Sequence, residues 1–207
     1  MHSPFVRDPS SMPFHFRTRP LAVVFLLTSL LDLAQAQVQT PAPTGPPPAT
    51  ILLIRHAEKL TDGREDLSPT GFERARLLPQ LFAPSHTPAL PTPQVLIATH
   101  LSKHSNRPVE TITPLSTALH LPIDSTISND DYAALAQQLL SGKYAGEVVL
   151  VSWHHGKLPD LAKSLGAQPP YDKWPDTQFD RVWRIDYKAG KPTLTDLPEH
   201  LMPGDTN

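Results

Sequence analysis

The segment Ile51-Leu52-Leu53-Ile54-Arg55-His56-Ala57-Glu58-Lys59 constrains this chain more than any other. Four consecutive apolar residues, without polar alternation, suit a strand covered on both faces, as in a parallel sheet flanked by helices. The run stops abruptly at Arg55 and His56. Open α/β sheets bind their ligands just beyond the carboxyl ends of such strands. An arginine there offers a permanently charged, planar fork to an oxyanion. A histidine can act as nucleophile, base or acid near neutral pH. An Arg-His pair at a strand end is more often a solvated terminus, so it gains meaning only from the segments that follow.

Two further apolar runs have the same character. Residues 94–99 (QVLIAT) lead into the polar loop 100–106, and residues 148–152 (VVLVS) lead into Trp153-His154-His155-Gly156. Helical patterns lie between them. Ser68 reads as an N-cap with Pro69 in the first turn, ahead of a stripe of Phe72, Ala75, Leu78 and Leu81. Pro108 opens a second helix with Val109, Ile112, Leu115 and Leu119 on one face. A short strand is expected within 123–127. An amphipathic helix is expected over 131–140, capped by Asp130 or Asp131, and another over 158–165, closed by Gly166. Residues 179–187 and 191–197 flank Ala189-Gly190 and read as a hairpin. Strands alternating with helices predict an α/β three-layer sandwich, a mostly parallel sheet with helices on both faces. The C-terminal β-hairpin would add an antiparallel edge.

The amino-terminal part has a different composition. Residues 1–36 read as a signal peptide: Arg17 and Arg19 precede the apolar run 21–31, and Ala34-Gln35-Ala36 supplies a small-x-small cleavage site before Gln37. The run is shorter than the roughly 20 residues of a transmembrane helix, and Asp32 closes it. An uncleaved membrane anchor is the alternative. Residues 37–49 form a Pro-rich linker, leaving 50–207 as the folded domain. The expected location is secreted or periplasmic, with no stable membrane insertion after cleavage. The absence of Cys excludes disulfides and thiolate chemistry, and a net charge of −2 gives no basic surface for nucleic acid.

Four stretches, LIRHAEK, LSPTGFERA, NRPVET and VVLVSWHHGKLPDL, together resemble the histidine phosphatase (phosphoglycerate mutase-like) superfamily. The first resembles its Arg-His-Gly signature, with Ala57 in place of Gly. The second resembles Leu-Thr-x-x-Gly-x-x-Arg/Gln-Ala, here Leu67, Ser68, Gly71, Arg74 and Ala75. The third resembles Arg-x-x-x-Thr at a helix start, here Arg107 and Thr111. The fourth resembles a strand ending in a second catalytic histidine. The resemblance implies a small, branch-1-like member with the phosphoglycerate mutase-like fold. It further implies a phosphomonoester hydrolase that needs neither metal nor other cofactor and acts through a phosphohistidine on His56. The partner would be a small phosphorylated substrate; the oligomeric state is open.

The residue chemistry agrees. Phosphoryl transfer is catalysed mainly by positioning and charge stabilisation. Arg55, Arg107 and a second histidine would form a cationic cup around the phosphoryl group, with His56 as nucleophile. Counting back from Leu158-Pro159, the family spacing selects His154, whereas a Trp-x-His reading selects His155. On a regular strand only one of the two would face His56. Glu58 and Glu110 are the candidate proton donors, each also placed to pair with a neighbouring arginine. Arg74 reads as structural. Lys103, His104 and Asn106 precede Arg107 in a loop that either meets substrate or is merely solvated. His100 and His104 lack the accompanying carboxylate pattern of a metal site. Two rival readings are a catalytically weak or inactive phospholigand-binding module of the same fold, and a phosphoglycerate mutase-like phosphotransferase. The short connections between elements disfavour the latter.

Overall fold

A computed structural model describes residues 43–206. The expected signal peptide (1–36) and the first part of the Pro-rich stretch lie outside the described residues. The rest of that stretch lies along the 140–147 turn. Thr44 and Gly45 donate their N–H groups to the Leu140 carbonyl at 3.2 and 3.1 Å, and Ala49 donates to Glu147 at 2.9 Å.

Six strands form one sheet: β1 (Thr50–Arg55), β2 (Val95–Ala98), β3 (Ile123–Asp124), β4 (Val148–Trp153), β5 (Arg181–Lys188) and β6 (Lys191–Pro198). Their order is β3-β2-β4-β1-β5-β6. The first four in that order run parallel, and the β5–β6 hairpin adds antiparallel to β1. All six residues of β1 are buried, because the sheet is covered on both sides. Ile51 and Leu53 join the core under α3 (Tyr132–Leu139) and α4 (Leu158–Ser164). Leu52 and Ile54 join the opposite core, with Ile112 and Leu115 of α2 (Arg107–Leu119). Each such side chain contributes about 1.5–3 kcal/mol on burial, so the uninterrupted apolar run is what a two-sided sheet requires.

α1 (Pro69–Leu77) begins as expected: the Ser68 hydroxyl accepts from the Gly71 N–H at 3.1 Å. Gly71 is needed where it stands, since a Cβ there would collide with the Glu58 carbonyl. The expected apolar stripe is only partly formed. Ala75, Leu78 and Leu81 are buried, but Phe72 is 48% exposed. Pro79 supplies no N–H, and the chain tightens into a 3₁₀ turn over Leu78–Phe82. Asp131 occupies the N-cap position of α3 but makes no side-chain capping hydrogen bond. The Asp131 carboxylate instead accepts from the Ser128 hydroxyl at 2.6 Å, ahead of a helix that begins at Tyr132. The hairpin turn has positive φ at both Ala189 (50°) and Gly190 (76°), as a two-residue type I′ turn demands. Among the described residues no helix is long and apolar enough to cross a membrane.

Candidate active site

The pairing of β1 with β4 brings the two histidine segments together. Arg55 lies opposite Trp153, and the His56 N–H donates to the Trp153 carbonyl at 3.0 Å, extending the ladder past the strand end. The His56 and His154 rings stand edge to face, 5.2 Å apart, and the His155 ring lies 6.5 Å from His56. Strand alternation therefore does not sort the two later histidines. β4 ends at Trp153, and the chain turns at once, with the Lys157 and Leu158 N–H groups donating to the His154 carbonyl.

His56 is 1% exposed, and its Nδ1 lies 2.7 Å from the Ala57 carbonyl oxygen. That oxygen can only accept, so Nδ1 carries the hydrogen and Nε2 keeps its lone pair. Burial holds the His56 pKa well below the usual range, against the opposing hydrogen bond to Ala57. Burial, with the positive charge of Arg107 next, brings His154 down to about 4. His155 is also lowered by burial, and its Nε2 lies 3.1 Å from an Asp176 carboxylate oxygen. The imidazoles facing each other are thus neutral at pH 7. The peptide after His56 is fixed from α2: Ala57 N–H donates to the Thr111 hydroxyl at 2.9 Å, which donates to the Arg107 carbonyl at 2.7 Å.

Arg55 and Arg107 are both anchored by main-chain carbonyls. Arg55 Nη1 donates to the carbonyls of Pro175, Asp176 and Gln178 at 3.0, 2.8 and 2.9 Å. Its guanidinium carbon sits 3.8 Å from the Phe179 ring centroid. Its Nε and Nη2, one edge of the fork, are buried without a partner among the described residues. Burial lowers its pKa to about 10, leaving it charged at neutral pH. Arg107 Nη1 donates to the carbonyls of Arg64 and Glu65 at 2.9 and 3.2 Å, Nη2 reaches the His104 carbonyl at 3.4 Å, and Nε has no partner among the described residues. Carbonyls orient a guanidinium without cancelling its charge. Arg74 is the counter-example: its guanidinium meets the carboxylates of Glu58 and Asp205 at 2.8 Å each and the buried carboxyl group of Glu199 at 3.0 Å. Burial opposes its charge, but the Asp205 and Glu58 hydrogen bonds prevail and raise its pKa.

No family model and no curated protein matches this chain. Solved structures do. A phosphoserine phosphatase from Entamoeba histolytica, in complex with 3-phosphoglyceric acid, superposes with a TM-score of 0.50 at 15% identity. The match covers 74% of this chain and 99% of that one. The chain has the phosphoglycerate mutase-like fold. The alpha-ribazole phosphatase from Shigella flexneri (TM-score 0.42, 14% identity, 76% of this chain and 100% of that one) is also similar. So is the protein histidine phosphatase SixA complexed with tungstate (0.45, 15%, 72% and 97%).

Within this phosphoglycerate mutase-like fold the two candidate acids differ. Glu58 is committed to Arg74, accepting from both Nε and Nη2. Glu110, in the first turn of α2, has its pKa raised by burial, although one oxygen accepts from the Leu67 N–H at 2.9 Å. Of the loop before α2, His104 and Lys103 are exposed, and Asn106 donates to Asp66 at 2.9 Å. His100 and His104 do not combine with a third ligand: among the described residues no three His, Cys, Asp or Glu side chains gather as metal ligands would.

Sequence reasoning missed the 175–179 segment. Residues 179–187 read as one strand, but β5 starts at Arg181. Phe179 instead lies over Arg55, with its ring 6.2 Å from that of His56. The carbonyls that hold Arg55 belong to an irregular segment, and a carbonyl leaves no mark in a sequence. Thr111 was visible only as a motif letter, without its role toward Ala57.

Proposed function

We propose that the chain is a phosphomonoesterase of histidine phosphatase type, acting without a metal through a phosphohistidine on His56. His56 Nε2 attacks phosphorus, and the P–O bond to the leaving group breaks as Glu110 protonates the departing alkoxide. Glu110, then ionised, takes a proton from the water that attacks the phosphohistidine, releasing phosphate and restoring His56. His154, nearer to His56 than His155 and free of a carboxylate partner, is the second histidine of the site. The free edge of Arg55 and the Nε of Arg107 would take the non-bridging oxygens.

The observation that carries this reading is the contrast among the arginines. Two charged guanidiniums are held by carbonyls near a neutral histidine, while Arg74 is saturated by carboxylates and cannot serve an anion. A small phosphorylated substrate suits such a site, and the E. histolytica relative was solved with 3-phosphoglyceric acid. With the signal-like residues 1–36, the reading places the enzyme in the periplasm or outside the cell.

The test is hydrolysis of an aryl phosphate, whose leaving group needs little protonation. His56→Ala should abolish turnover with the fold intact, and a chelator should leave the rate unchanged. Acid-labile label from a phosphate-labelled substrate should appear on the parent protein and vanish in the variant. Retained turnover in His56→Ala rejects the mechanism. Tight phosphate binding without turnover in the parent protein points to the binding module, and transfer to an added alcohol in preference to water points to a phosphotransferase.

A further inference from the structure

The three carbonyls that hold Arg55 belong to residues 175–180, a segment with neither helical nor strand hydrogen bonding. Its own bonds must therefore fix it. Trp174 Nε1 donates to the Gln178 carbonyl at 2.8 Å, the same oxygen that accepts from Arg55, and the Tyr171 hydroxyl donates to Gln178 Oε1 at 3.0 Å. The segment also borders an open hollow of about 430 Å³, lined by its Pro175, Gln178 and Phe179 and by Met202, Pro203 and Thr206 beyond β6. Chain that borders solvent is not fixed by packing, so there the hold falls to hydrogen bonds. Asp180 makes them. It is buried, its carboxylate accepts from both the N–H and the hydroxyl of Thr206, the latter at 2.8 Å, and its carbonyl accepts from the Glu199 N–H at 2.9 Å. The stretch carrying Thr206 is itself anchored. Asp205 accepts from the Leu201 and Met202 N–H groups at 2.8 and 3.0 Å and pairs with Arg74 of α1 at 2.8 Å. Phe179, the neighbour of Asp180, lies over the Arg55 guanidinium.

We propose that Asp180 and Thr206 are a positioning pair for Arg55: they hold the 175–180 segment so that its carbonyls aim the free edge of the guanidinium at the phosphoryl group. The inference rests on the phosphatase reading above, in which that edge takes non-bridging oxygens, and adds to it the residues that set its direction. All three carbonyls bind one nitrogen, Nη1, so a shift of the segment swings the opposite edge. A misplacement of about 1 Å in such a group can cost on the order of a hundredfold in rate. Neither Asp180 nor Thr206 touches substrate; both act through Arg55.

The test is a double-mutant cycle on kcat/KM for an aryl phosphate, run well below the Tm of the least stable variant. Asp180→Ala should lower kcat/KM by about tenfold or more in the parent protein. In an Arg55→Lys background, which keeps a cation for the carbonyls but has no fork to aim, the same substitution should cost less than about twofold. The competitive inhibition constant of inorganic phosphate should rise in parallel in the parent background only. Thr206→Val, which removes the hydroxyl and keeps the shape, should follow the same pattern with a smaller loss, and Thr206→Ser should restore the parent rate. If Asp180→Ala does not fold, the Thr206→Val cycle decides alone. The same fold-loss in both backgrounds, or no loss in the parent, overturns the inference while leaving the phosphatase reading standing. No turnover by the parent protein overturns both.

Discussion

Thr111→Val tests how the nucleophile candidate is held. The substitution keeps the shape of a buried side chain and removes one hydroxyl. That hydroxyl accepts from the Ala57 N–H and donates to the Arg107 carbonyl. Ala57 is fully buried, so its N–H would be left without a partner, at a cost of about 1–3 kcal/mol. For a domain of this size, ~2 kcal/mol corresponds to a fall in Tm of roughly 4–8 °C. Ala57 also carries, in the next peptide plane, the carbonyl that fixes His56 Nδ1. Releasing its N–H lets the carbonyl tilt and the imidazole lose its preset tautomer and direction, so kcat should drop by about tenfold or more, with KM less affected. Thr111→Ser keeps the hydroxyl and should retain both properties. Thermal unfolding and steady-state kinetics on an aryl phosphate give the two readouts. A lower Tm with unchanged kcat would reduce Thr111 to a packing residue, and no change in either would refute the assigned hydrogen bonds.

Two titrations are expected. NMR of labelled imidazoles should find His56 and His154 neutral at pH 6.5, with His154 gaining its proton near pH 4; either one half-protonated at 6.5 contradicts the burial argument. Burial raises Glu199 from 4.5 to about 8, so the native state keeps a proton that the unfolded chain releases near 4.5. Its contribution to stability is complete below that value and is lost as pH rises toward 8. Glu199→Gln should remove this decline, measured by urea unfolding at pH 5, 6.5 and 8. An identical slope in the parent and the variant would refute it.

The sheet was legible because its central strands are apolar without alternation, and only a two-sided cover explains that pattern. The positions of Arg55, His56, Arg107 and the His154-His155 pair followed from where those runs stop. What was not legible depended on irregular chain. The turn after Trp153 brings both later histidines near His56, although strand geometry would have separated them. Phe179 looked like a strand residue because aromatic residues favour strands, yet its face is occupied by a guanidinium. Phe72 fitted a helical stripe, yet in the first turn of α1 it is 48% exposed while Ala75, Leu78 and Leu81 are buried. Arg74 already read as structural, but its pairing with Glu58 was not legible as part of a larger group, because Glu199 and Asp205 join them only through the fold.

The position of β1 between β4 and β5 bears on how this protein comes into being. The first strand made has no neighbour in the sheet until residues 148–153 exist, and it lacks its other edge until 181–188 follow. Pairing elements so remote in sequence is slow, because a long loop must close before any contact compensates for its lost freedom. The carbonyls under Arg55 come later still, from the stretch just ahead of β5. A growing polypeptide thus carries His56 through much of synthesis without His154, His155 and the carbonyls that fix Arg55 beside it. Onset of activity during refolding would then mark completion of the sheet and not the appearance of the first helices.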